Sequence, residues 1–242
     1  LAYLTPDGEG TIKYANKDTY SGTWSDGKKQ GAGKMSFSNG DVYQGAWAND
    51  HMSRSGVMQY ANGDEYDGQW ANSMHSGKGT MSCNTGDIYE GLWAHGVKSG
   101  QGVMHYRNGD TYTGAWLHDT RNGQGVHVYF RGDMYEGEWV NDAPNGRGIV
   151  TDPNGLKSYG DFINDRRSNV RVTSTFQDLS VQFRPGSDVA KSLSAALATD
   201  RGAHMNVNIP PVVARTRALQ GRHTTLDDRH CVSPCAALAA RK

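Results

Sequence analysis

The sequence contains few of the features that build membrane helices or disulfide-stabilised domains. No run of about 18 apolar residues occurs, so we expect no membrane-spanning helix. Three cysteines in 242 residues are too few for a disulfide framework, which favours a reducing compartment. No secretory signal opens the chain, and because residue 1 is leucine rather than methionine, we expect native sequence to precede it. The predicted location is therefore cytoplasmic.

Glycine, tryptophan and charge are distributed unevenly along the chain. Before residue 164 lie 28 of the 31 glycines and all six tryptophans. Residues 1–163 carry 13 Lys/Arg against 19 Asp/Glu, a net of −6, whereas residues 164–242 carry 12 against 6, a net of +6. This predicts a repeat array at residues 1–163, capping strands and a short helix at 164–201, and a basic, disordered tail at 202–242.

A short pattern recurs through the array at a fixed step. Tyr-x-Gly-x-Trp begins every 23 residues, at Tyr20, Tyr43, Tyr66, Tyr89, Tyr112 and Tyr135. One further step gives a degenerate copy that ends at Phe162, and a Gly-x-Gly pair keeps the same step. A fixed period of this size means a repeat architecture. The sequence therefore predicts an all-β fold, an elongated and twisted antiparallel meander of about seven 23-residue β-hairpin repeats.

Each repeat contains two runs with strand periodicity, separated in three copies by Asn-Gly-Asp and in the others by variants of it. The turn allows two registers. A two-residue Asn39-Gly40 loop would place Phe37 opposite Val42 and send Tyr43 to the other face. A three-residue, bulged loop would place Phe37 opposite Tyr43 and gather the apolar side chains on one face. We favour the bulged loop for that reason.

The repeated glycines are expected to serve packing and turns. Gly45, between Tyr43 and Trp47, would let aromatic rings lie across the backbone, and alanine there should clash. The Gly-x-Gly pair is expected to form the sharp reversal between one hairpin and the next. Arg54 replaces one of these glycines. We therefore expect that junction to be looser or differently turned.

The motifs together resemble the MORN (membrane occupation and recognition nexus) repeat. The resemblance rests on Gly-Asp-x-Tyr-x-Gly-x-Trp, a seven-residue interval and Gly-x-Gly, over about residues 8–163. It implies an elongated hairpin array with an interaction role, as in proteins that tie membranes together or build ciliary and cytoskeletal structures. From this resemblance we expect a non-catalytic scaffold that binds protein partners at a cytoskeletal or membrane-associated structure. The alternative is the phospholipid-binding or regulatory region of a phosphatidylinositol phosphate kinase-like enzyme whose catalytic domain is absent from this chain.

Two sets of residues are candidates for interaction. The repeated aromatics are interpreted mainly as packing and secondarily as a contact surface: Tyr20, Trp24, Tyr43, Trp47, Tyr66, Trp70, Tyr89, Trp93, Tyr112, Trp116, Tyr135 and Trp139. The cations that vary in the loops after Trp, and those of the tail, are candidate anionic-lipid or partner contacts: Lys28, Lys29, Arg54, Lys98, Arg121, Arg215, Arg217, Arg222 and Arg229. Because the array is acidic overall, lipid contact would need a local basic face or the tail.

No catalytic constellation, cofactor or metal site is predicted. The stretch Ser76-Gly77-Lys78-Gly79 lacks the remaining residues of a phosphate-binding loop. The repeated Asn-Gly-Asp is interpreted as turn chemistry rather than as a calcium site, because calcium β-rolls use nine-residue units. His230, Cys231, Cys235 and His223 would form an incomplete metal-site pattern. Nucleic acid is not expected, since the tail arginines lack interleaved aromatics.

Residues beyond the array are expected to extend or cap the sheet. Residues 169–173 and 179–183 alternate like strands. Residues 187–199 predict a short helix whose narrow apolar stripe consists of Val189, Leu193 and Leu197. If these segments leave the last repeats uncapped, the open edge around residues 135–162 predicts a homodimer through the array ends.

Overall fold

The computed structural model describes residues 7–173, which form one antiparallel sheet. Fifteen strands lie in sequence order, and each is hydrogen-bonded to the next. This confirms the predicted all-β meander. The strands are β1 (Gly8–Lys13), β2 (Thr19–Ser25), β3 (Lys28–Ser36), β4 (Val42–Ala48), β5 (His51–Gln59), β6 (Glu65–Ala71), β7 (Met74–Ser82), β8 (Ile88–Ala94), β9 (Val97–His105), β10 (Thr111–Leu117), β11 (Thr120–Val128), β12 (Met134–Val140), β13 (Ala143–Thr151), β14 (Lys157–Ile163) and β15 (Arg166–Thr173).

One edge of the sheet carries three-residue loops, several of which contain Asn-Gly. In the β3–β4 loop, the Phe37 amide donates to Asp41 O at 2.9 Å and the Gly40 amide donates to Phe37 O at 3.0 Å. Gly40 has φ 97°, as a bulged three-residue loop requires. The predicted loop type is therefore correct, but the predicted pairing is wrong. Met35, not Phe37, lies opposite Tyr43. Because the shift is two residues, the expected apolar side chains still share one face.

The other edge carries two-residue turns, and here the structure corrects the sequence prediction. Between β2 and β3, Asp26 has φ 50° and Gly27 has φ 76°. Two consecutive positive φ values define the type I′ turn, whose twist suits a tight hairpin. Later repeats use Asn, Asp, Ser, His and Gly at these positions. The reversal therefore begins two residues after Trp, and the Gly-x-Gly pair lies inside the following strand.

The first glycine of each pair lies at a bulge within the nine-residue strands. Between β2 and β3 the register shifts after Gly22, and Gly31 has φ 68° at this irregularity. Arg54 occupies the same position in β5 with φ 52°. The expectation of a different junction at Arg54 is therefore wrong. Arginine adopts the left-handed conformation there, and β5 keeps its nine residues and its bulge.

The sheet continues beyond residue 163. β15 pairs with β14 and includes the predicted strand at residues 169–173. The edge of β14 is therefore covered, and the sheet edge nearest the predicted dimer contact is β15. The predicted strand at 179–183, the predicted helix at 187–199 and the tail at 202–242 lie outside the described residues.

The described part of the chain contains no helix long and apolar enough to cross a membrane. The reducing compartment that the cysteine count favours stays a prediction.

Candidate interaction surface

A continuous row of glycines crosses the sheet from β1 to β14. Each glycine lies directly opposite the glycine of the next strand, so no side chain interrupts the row. The glycine row consists of Gly10, Gly22, Gly33, Gly45, Gly56, Gly68, Gly79, Gly91, Gly102, Gly114, Gly125, Gly137, Gly148 and Gly160. We call the face that bears the repeated Tyr and Trp the ladder face, and the opposite face the open face.

On the ladder face, each repeated tyrosine lies across two members of the glycine row. The Tyr43 hydroxyl donates to Ala46 O at 3.0 Å, which holds the ring over the backbone. A Cβ added to Gly45 would lie 2.5 Å from Tyr43 Oη and from Gly56 Cα. A Cβ added to Gly56 would lie 2.5 Å from Tyr43 Cζ. The predicted clash of alanine with aromatic packing is therefore supported by the geometry.

Each repeated tryptophan joins two repeats. Trp47 makes edge-to-face contacts with Tyr43 of its own repeat and with Tyr20 of the preceding one, at centroid distances of 5.2 and 5.3 Å. Its indole N–H donates to Gly33 O at 3.3 Å. The same alternation continues to Phe162, which contacts Tyr135 at 4.9 Å in place of a tryptophan. Aromatic contacts between neighbouring repeats therefore continue from one end of the array to the other.

Burial keeps the ladder tyrosines neutral. Tyr20, Tyr43, Tyr66, Tyr89 and Tyr112 are fully buried. Loss of solvent raises the pKa of Tyr20 to about 12, with smaller contributions from Glu9 and neighbouring groups. Because the phenols stay protonated, their hydroxyls act as donors to the backbone at ordinary pH.

A variable side chain lies opposite each tryptophan and covers the ladder. We call these residues the cover row: Lys29, Met52, His75, Lys98, Arg121 and Pro144. They belong to strands rather than to loops, because the preceding turn has only two residues. The prediction that the cations after Trp lie in loops is therefore wrong for all five: Lys28, Lys29, Arg54, Lys98 and Arg121.

The ammonium groups of the two cover-row lysines lie over aromatic rings. Lys98 is 2% exposed, and its Nζ lies 5.2 Å from the Trp116 ring and 5.4 Å from the Tyr89 ring. Burial lowers the Lys98 pKa, opposed by the charge of Asp119 and more distant carboxylates. Lys29 lies 4.7 Å over Trp47, and burial lowers its pKa too. These ammonium groups serve as cation–π partners of the ladder.

Arg121 is engaged by its neighbours. Its guanidinium lies 4.3 Å over the Trp139 ring, and its Nε donates to Asp142 Oδ1 at 3.1 Å. Its Nη1 lies 3.0 Å from His127 Nδ1, while His127 Nε2 lies 3.4 Å from Asp110 Oδ2. Burial, and then the charge of Arg121, lower the His127 pKa to about 4 although Asp110 opposes this. The neutral imidazole can therefore accept from Arg121.

The repeated aspartates connect successive loops. Asp41 Oδ1 accepts the Ala61 amide at 2.9 Å, one repeat further along, and Asp41 Oδ2 accepts Asn39 Nδ2 at 2.6 Å. Asp64 and Asp110 accept loop amides of the next repeat in the same way. The interpretation of Asn-Gly-Asp as turn chemistry therefore agrees with the contacts. Among the residues that the structure describes, no group of three or more His, Cys, Asp or Glu could hold a metal ion.

The open face contains a trough along the back of the glycine row. One part, of about 630 Å³, is lined by residues of β1 to β6, and a second part, of about 560 Å³, by residues of β6 to β9. Asp67 belongs to both, so the two parts adjoin. Some lining residues, such as Ala32 and Ser55, have short side chains. Others, such as Lys34 and Glu90, have long, charged side chains. We call this trough the glycine groove.

The candidate cations therefore divide into two groups. Lys28 and Arg54 are exposed, so the prediction of partner or lipid contact remains a prediction for them. Lys98 is buried, Lys29 lies over the Trp47 ring and Arg121 is paired with Asp142, so these three are less accessible for such a contact. The four tail arginines lie outside the described residues.

The residues that line the glycine groove are absent from the sequence-based candidates. Gln44, Asp67 and Glu90 occupy the variable position between Tyr and Gly, which alternation places on the open face. They differ in charge and size from repeat to repeat, and so form no motif. The alternation of side chains along a strand could have located them, because it places the variable residues on the face opposite the aromatic residues.

These features define a class of protein: a single-sheet array of tandem hairpins with an aromatic ladder on one face and a groove on the other. The MORN repeat family matches six times in tandem, at residues 20–42, 43–65, 66–88, 89–111, 112–134 and 135–157. The chain therefore belongs to the MORN repeat family. This confirms the resemblance inferred from the sequence. No curated protein matches the chain.

Solved structures with a partly similar fold include TCP and TCP10 domains. The TCP domain of Drosophila melanogaster SAS-4 (dCPAP), in complex with a proline-rich motif of Ana2 (dSTIL), has 13% identity and a TM-score of 0.34, covering 72% of this chain and 99% of that one. The TCP10 domain of Danio rerio CPAP, with a STIL peptide, has 14% identity and a TM-score of 0.29, covering 72% and 98%. At these scores the likeness carries no argument about function.

Proposed function

We propose that this chain is a non-catalytic MORN repeat scaffold that binds an extended segment of a partner protein in the glycine groove, at a cytoskeletal or membrane-associated structure. The observation that supports the proposal is the groove itself. Its floor is the unbroken glycine row, and its borders carry side chains that differ in every repeat. A surface with a constant floor and variable borders can hold a peptide backbone and select its side chains.

The dimensions suit an extended peptide. The groove is lined from Glu9 on β1 to Gln101 on β9, which is eight strand spacings or about 38 Å. An extended segment of about 11 residues spans that distance. The borders offer both signs of charge, with Asp67 and Glu90 against Lys34 and Lys78. A partner segment with alternating charged and small residues fits this lining better than an apolar ligand does.

The test uses the full chain and a library of displayed 12-residue peptides. Selected peptides are titrated by fluorescence anisotropy against the wild type, Ser55→Arg and Gln59→Arg. Both substituted residues lie on β5 and face the open side, but only Ser55 lines the groove. We expect Ser55→Arg to weaken binding at least tenfold and Gln59→Arg less than twofold. Equal affinity of all three proteins would contradict the proposal.

The lipid-binding alternative has its own test. Of the described cations proposed for lipid contact, Lys28 and Arg54 are exposed. Sedimentation of the full chain with neutral vesicles and with vesicles containing phosphatidylserine measures this contact directly. Binding that requires anionic lipid, and that Lys28→Ala with Arg54→Ala abolishes, would favour the phospholipid function over the peptide scaffold. Equal recovery with both vesicle types would exclude it.

A further inference from the structure

One open-face position recurs once in every repeat along a border of the glycine groove. It is the residue between Tyr and Gly, and it is exposed in each repeat that lines the groove. An unbroken line of cross-strand partners joins these residues, so they form a continuous row across the strands. We call them the border row: Ser21, Gln44, Asp67 and Glu90, on β2, β4, β6 and β8.

The spacing of the border row matches one backbone conformation of a bound segment. Consecutive members are two strand spacings apart, or about 9.6 Å. Side chains of an extended β-strand return to the same side every two residues, or about 6.8 Å. Those of a polyproline II helix return every three residues, or about 9.3 Å. A polyproline II segment therefore presents one equivalent side chain to each repeat, with a mismatch of only about 1 Å over the whole row.

The hydrogen bonding of the sheet also favours this conformation. Each strand from β2 to β8 is hydrogen-bonded to both of its neighbours, so a segment that crosses these strands finds no free row of backbone groups to pair with. A polyproline II helix has no internal hydrogen bonds, and its backbone stays solvated. A segment bound in this conformation therefore needs no backbone partner from the sheet, and its side chains make the contacts.

The border row also indicates the charge of the segment. Asp67 and Glu90 are exposed, and neither carboxylate makes an ion pair with another described residue. We propose that the glycine groove binds a basic segment of a partner protein in the polyproline II conformation, with two Lys or Arg residues three positions apart that face Asp67 and Glu90. This site depends on the proposed peptide-binding function and narrows the partner to one class of peptide.

The lysines of the groove restrict the pattern further. Lys78 lies on the opposite border, on the strand between those of Asp67 and Glu90. Its ammonium group repels a basic side chain at either of the two spacer positions of the segment. Lys34 lies on β3, near the other end of the groove, and favours an acidic residue there. The preferred segment therefore carries two separated basic residues at one end rather than a continuous basic run.

Exchange of charge between the groove and a bound peptide tests the pairing. The probe is the tightest 12-residue peptide recovered from the display library with the wild-type chain, titrated by fluorescence anisotropy. We expect this peptide to carry Lys or Arg at two positions three apart. Asp67→Lys with Glu90→Lys should weaken its binding about tenfold. A peptide with glutamate at those two positions should bind the double variant about tenfold more tightly than it binds the wild type.

The matched control for the charge exchange is Glu136→Lys. Glu136 is exposed at the same position of β12, outside the groove. This substitution should change the affinity for either peptide less than twofold. An equal loss of affinity in Glu136→Lys and in the double variant would show a general effect of protein charge and would overturn the proposed pairing.

The separation of the two basic residues tests the conformation. Removing or adding one spacer residue changes the separation to two or four and turns one basic side chain away from its carboxylate, so binding should weaken about threefold or more. Proline at both spacer positions fixes φ at about −65°, close to the polyproline II value, and should strengthen binding. Equal affinity at all three separations, or weaker binding of the proline peptide, would overturn the proposal.

Ser55→Arg distinguishes failure of this proposal from failure of the proposed function. Peptide binding that Ser55→Arg weakens but that the charge exchange leaves unchanged would mean that the groove binds peptides of another chemistry. The proposed function would then stand, and the basic segment would be refuted. Peptide binding that Ser55→Arg leaves unchanged would mean that the peptide lies outside the groove, which refutes both.

Discussion

The two faces of the sheet are built from the same strands but follow different rules. On the ladder face, Tyr43, Tyr66 and Tyr89 occupy equivalent positions in successive repeats and are all fully buried. On the open face, the residues that follow them are Gln44, Asp67 and Glu90, which differ in charge and in size. A tyrosine must fit two glycines and two tryptophans, whereas its open-face neighbour faces solvent. The ladder face therefore supplies stability, and the open face supplies variation.

One row of residues on the ladder face does not follow this rule. The cover row lies on the ladder face yet varies like the open face, with lysine, methionine, histidine, arginine and proline in equivalent positions. Its members share one requirement, which is to shield the Trp and Tyr rings from water. A long aliphatic stem or a flat ring satisfies that requirement whatever its charge. Chemical variety on the ladder face is therefore compatible with a packing role.

The strongest test of the comparison removes a large side chain from the ladder. Trp70→Ala loses edge-to-face contacts with Tyr43 and Tyr66 and the indole hydrogen bond to Gly56 O at 3.0 Å. We expect a loss of about 4 kcal/mol in the free energy of unfolding, as for buried aromatics generally. Gln44→Ala on the open face should cost less than about 0.5 kcal/mol. Urea denaturation followed by tryptophan fluorescence and circular dichroism measures both. Similar urea midpoints for Trp70→Ala and Gln44→Ala would contradict the conclusion that the ladder face supplies the stability.

The second test adds a methyl group to the glycine row. A Cβ at Gly68 would lie 2.5 Å from Gly79 Cα and from Tyr66 Oη, so backbone and ring must both move. We expect Gly68→Ala to cost about 3 kcal/mol. Gly10 belongs to the same row at the end of the sheet, where the nearest atom, Trp24 Cδ1, is 3.4 Å away. Gly10→Ala should therefore cost about 0.5 kcal/mol or less. Equal thermal midpoints for Gly68→Ala and Gly10→Ala would contradict the close approach of Tyr66 and Gly79 to Gly68.

The third test concerns a buried titratable group of the cover row. His75 is fully buried, its Nε2 lies 2.9 Å from Tyr60 Oη, and burial lowers its pKa to about 3. Below about pH 6.5 the unfolded chain binds a proton that the folded chain excludes, so stability falls as the pH falls. Between pH 7.5 and pH 4.5 this residue should account for a loss of about 3 kcal/mol.

His75→Met isolates that contribution, because Met52 occupies the equivalent position in repeat 2. Urea midpoints of the wild type and the variant at both pH values give the comparison. The variant should lose less stability on acidification than the wild type. An identical pH dependence in the two proteins would mean that folding does not lower the pKa of His75.

Sequence periodicity was sufficient to predict the features that depend on the repeat step and the strand period. The constant spacing of Tyr, Gly and Trp predicted the meander, the aromatic face and the close approach at Gly45. The turns were harder to assign. Gly-x-Gly suggested a reversal, yet the reversal uses pairs such as Asn49-Asp50 and His118-Asp119, which adopt positive φ without two glycines. Since Asn, Asp and His all tolerate this conformation, the turn has no single sequence signature.

The sites that were mislocated depend on tertiary context. The sequence suggests that Lys98 is a loop cation. A two-residue turn and a bulge instead place Lys98 within a strand, where its side chain is buried. The glycine groove was missed because its borders have no constant residue type. Periodicity identifies what every repeat shares. It does not identify the surfaces that are defined by differences between repeats, and those require the register of the strands.

The smallest expected effect tests whether the loop aspartates link repeats or only shape their own turns. Asp64 Oδ1 accepts the Asn84 amide of the next repeat at 2.8 Å. Asp64→Ala leaves that amide without its charged acceptor and should cost about 1 to 2 kcal/mol. Asp133 occupies the equivalent position one repeat before Pro153, which has no amide proton to donate. Asp133→Ala should therefore cost about 0.5 kcal/mol at most. Comparable losses in the two variants, measured by urea midpoints, would show that the aspartates act only within their own loops.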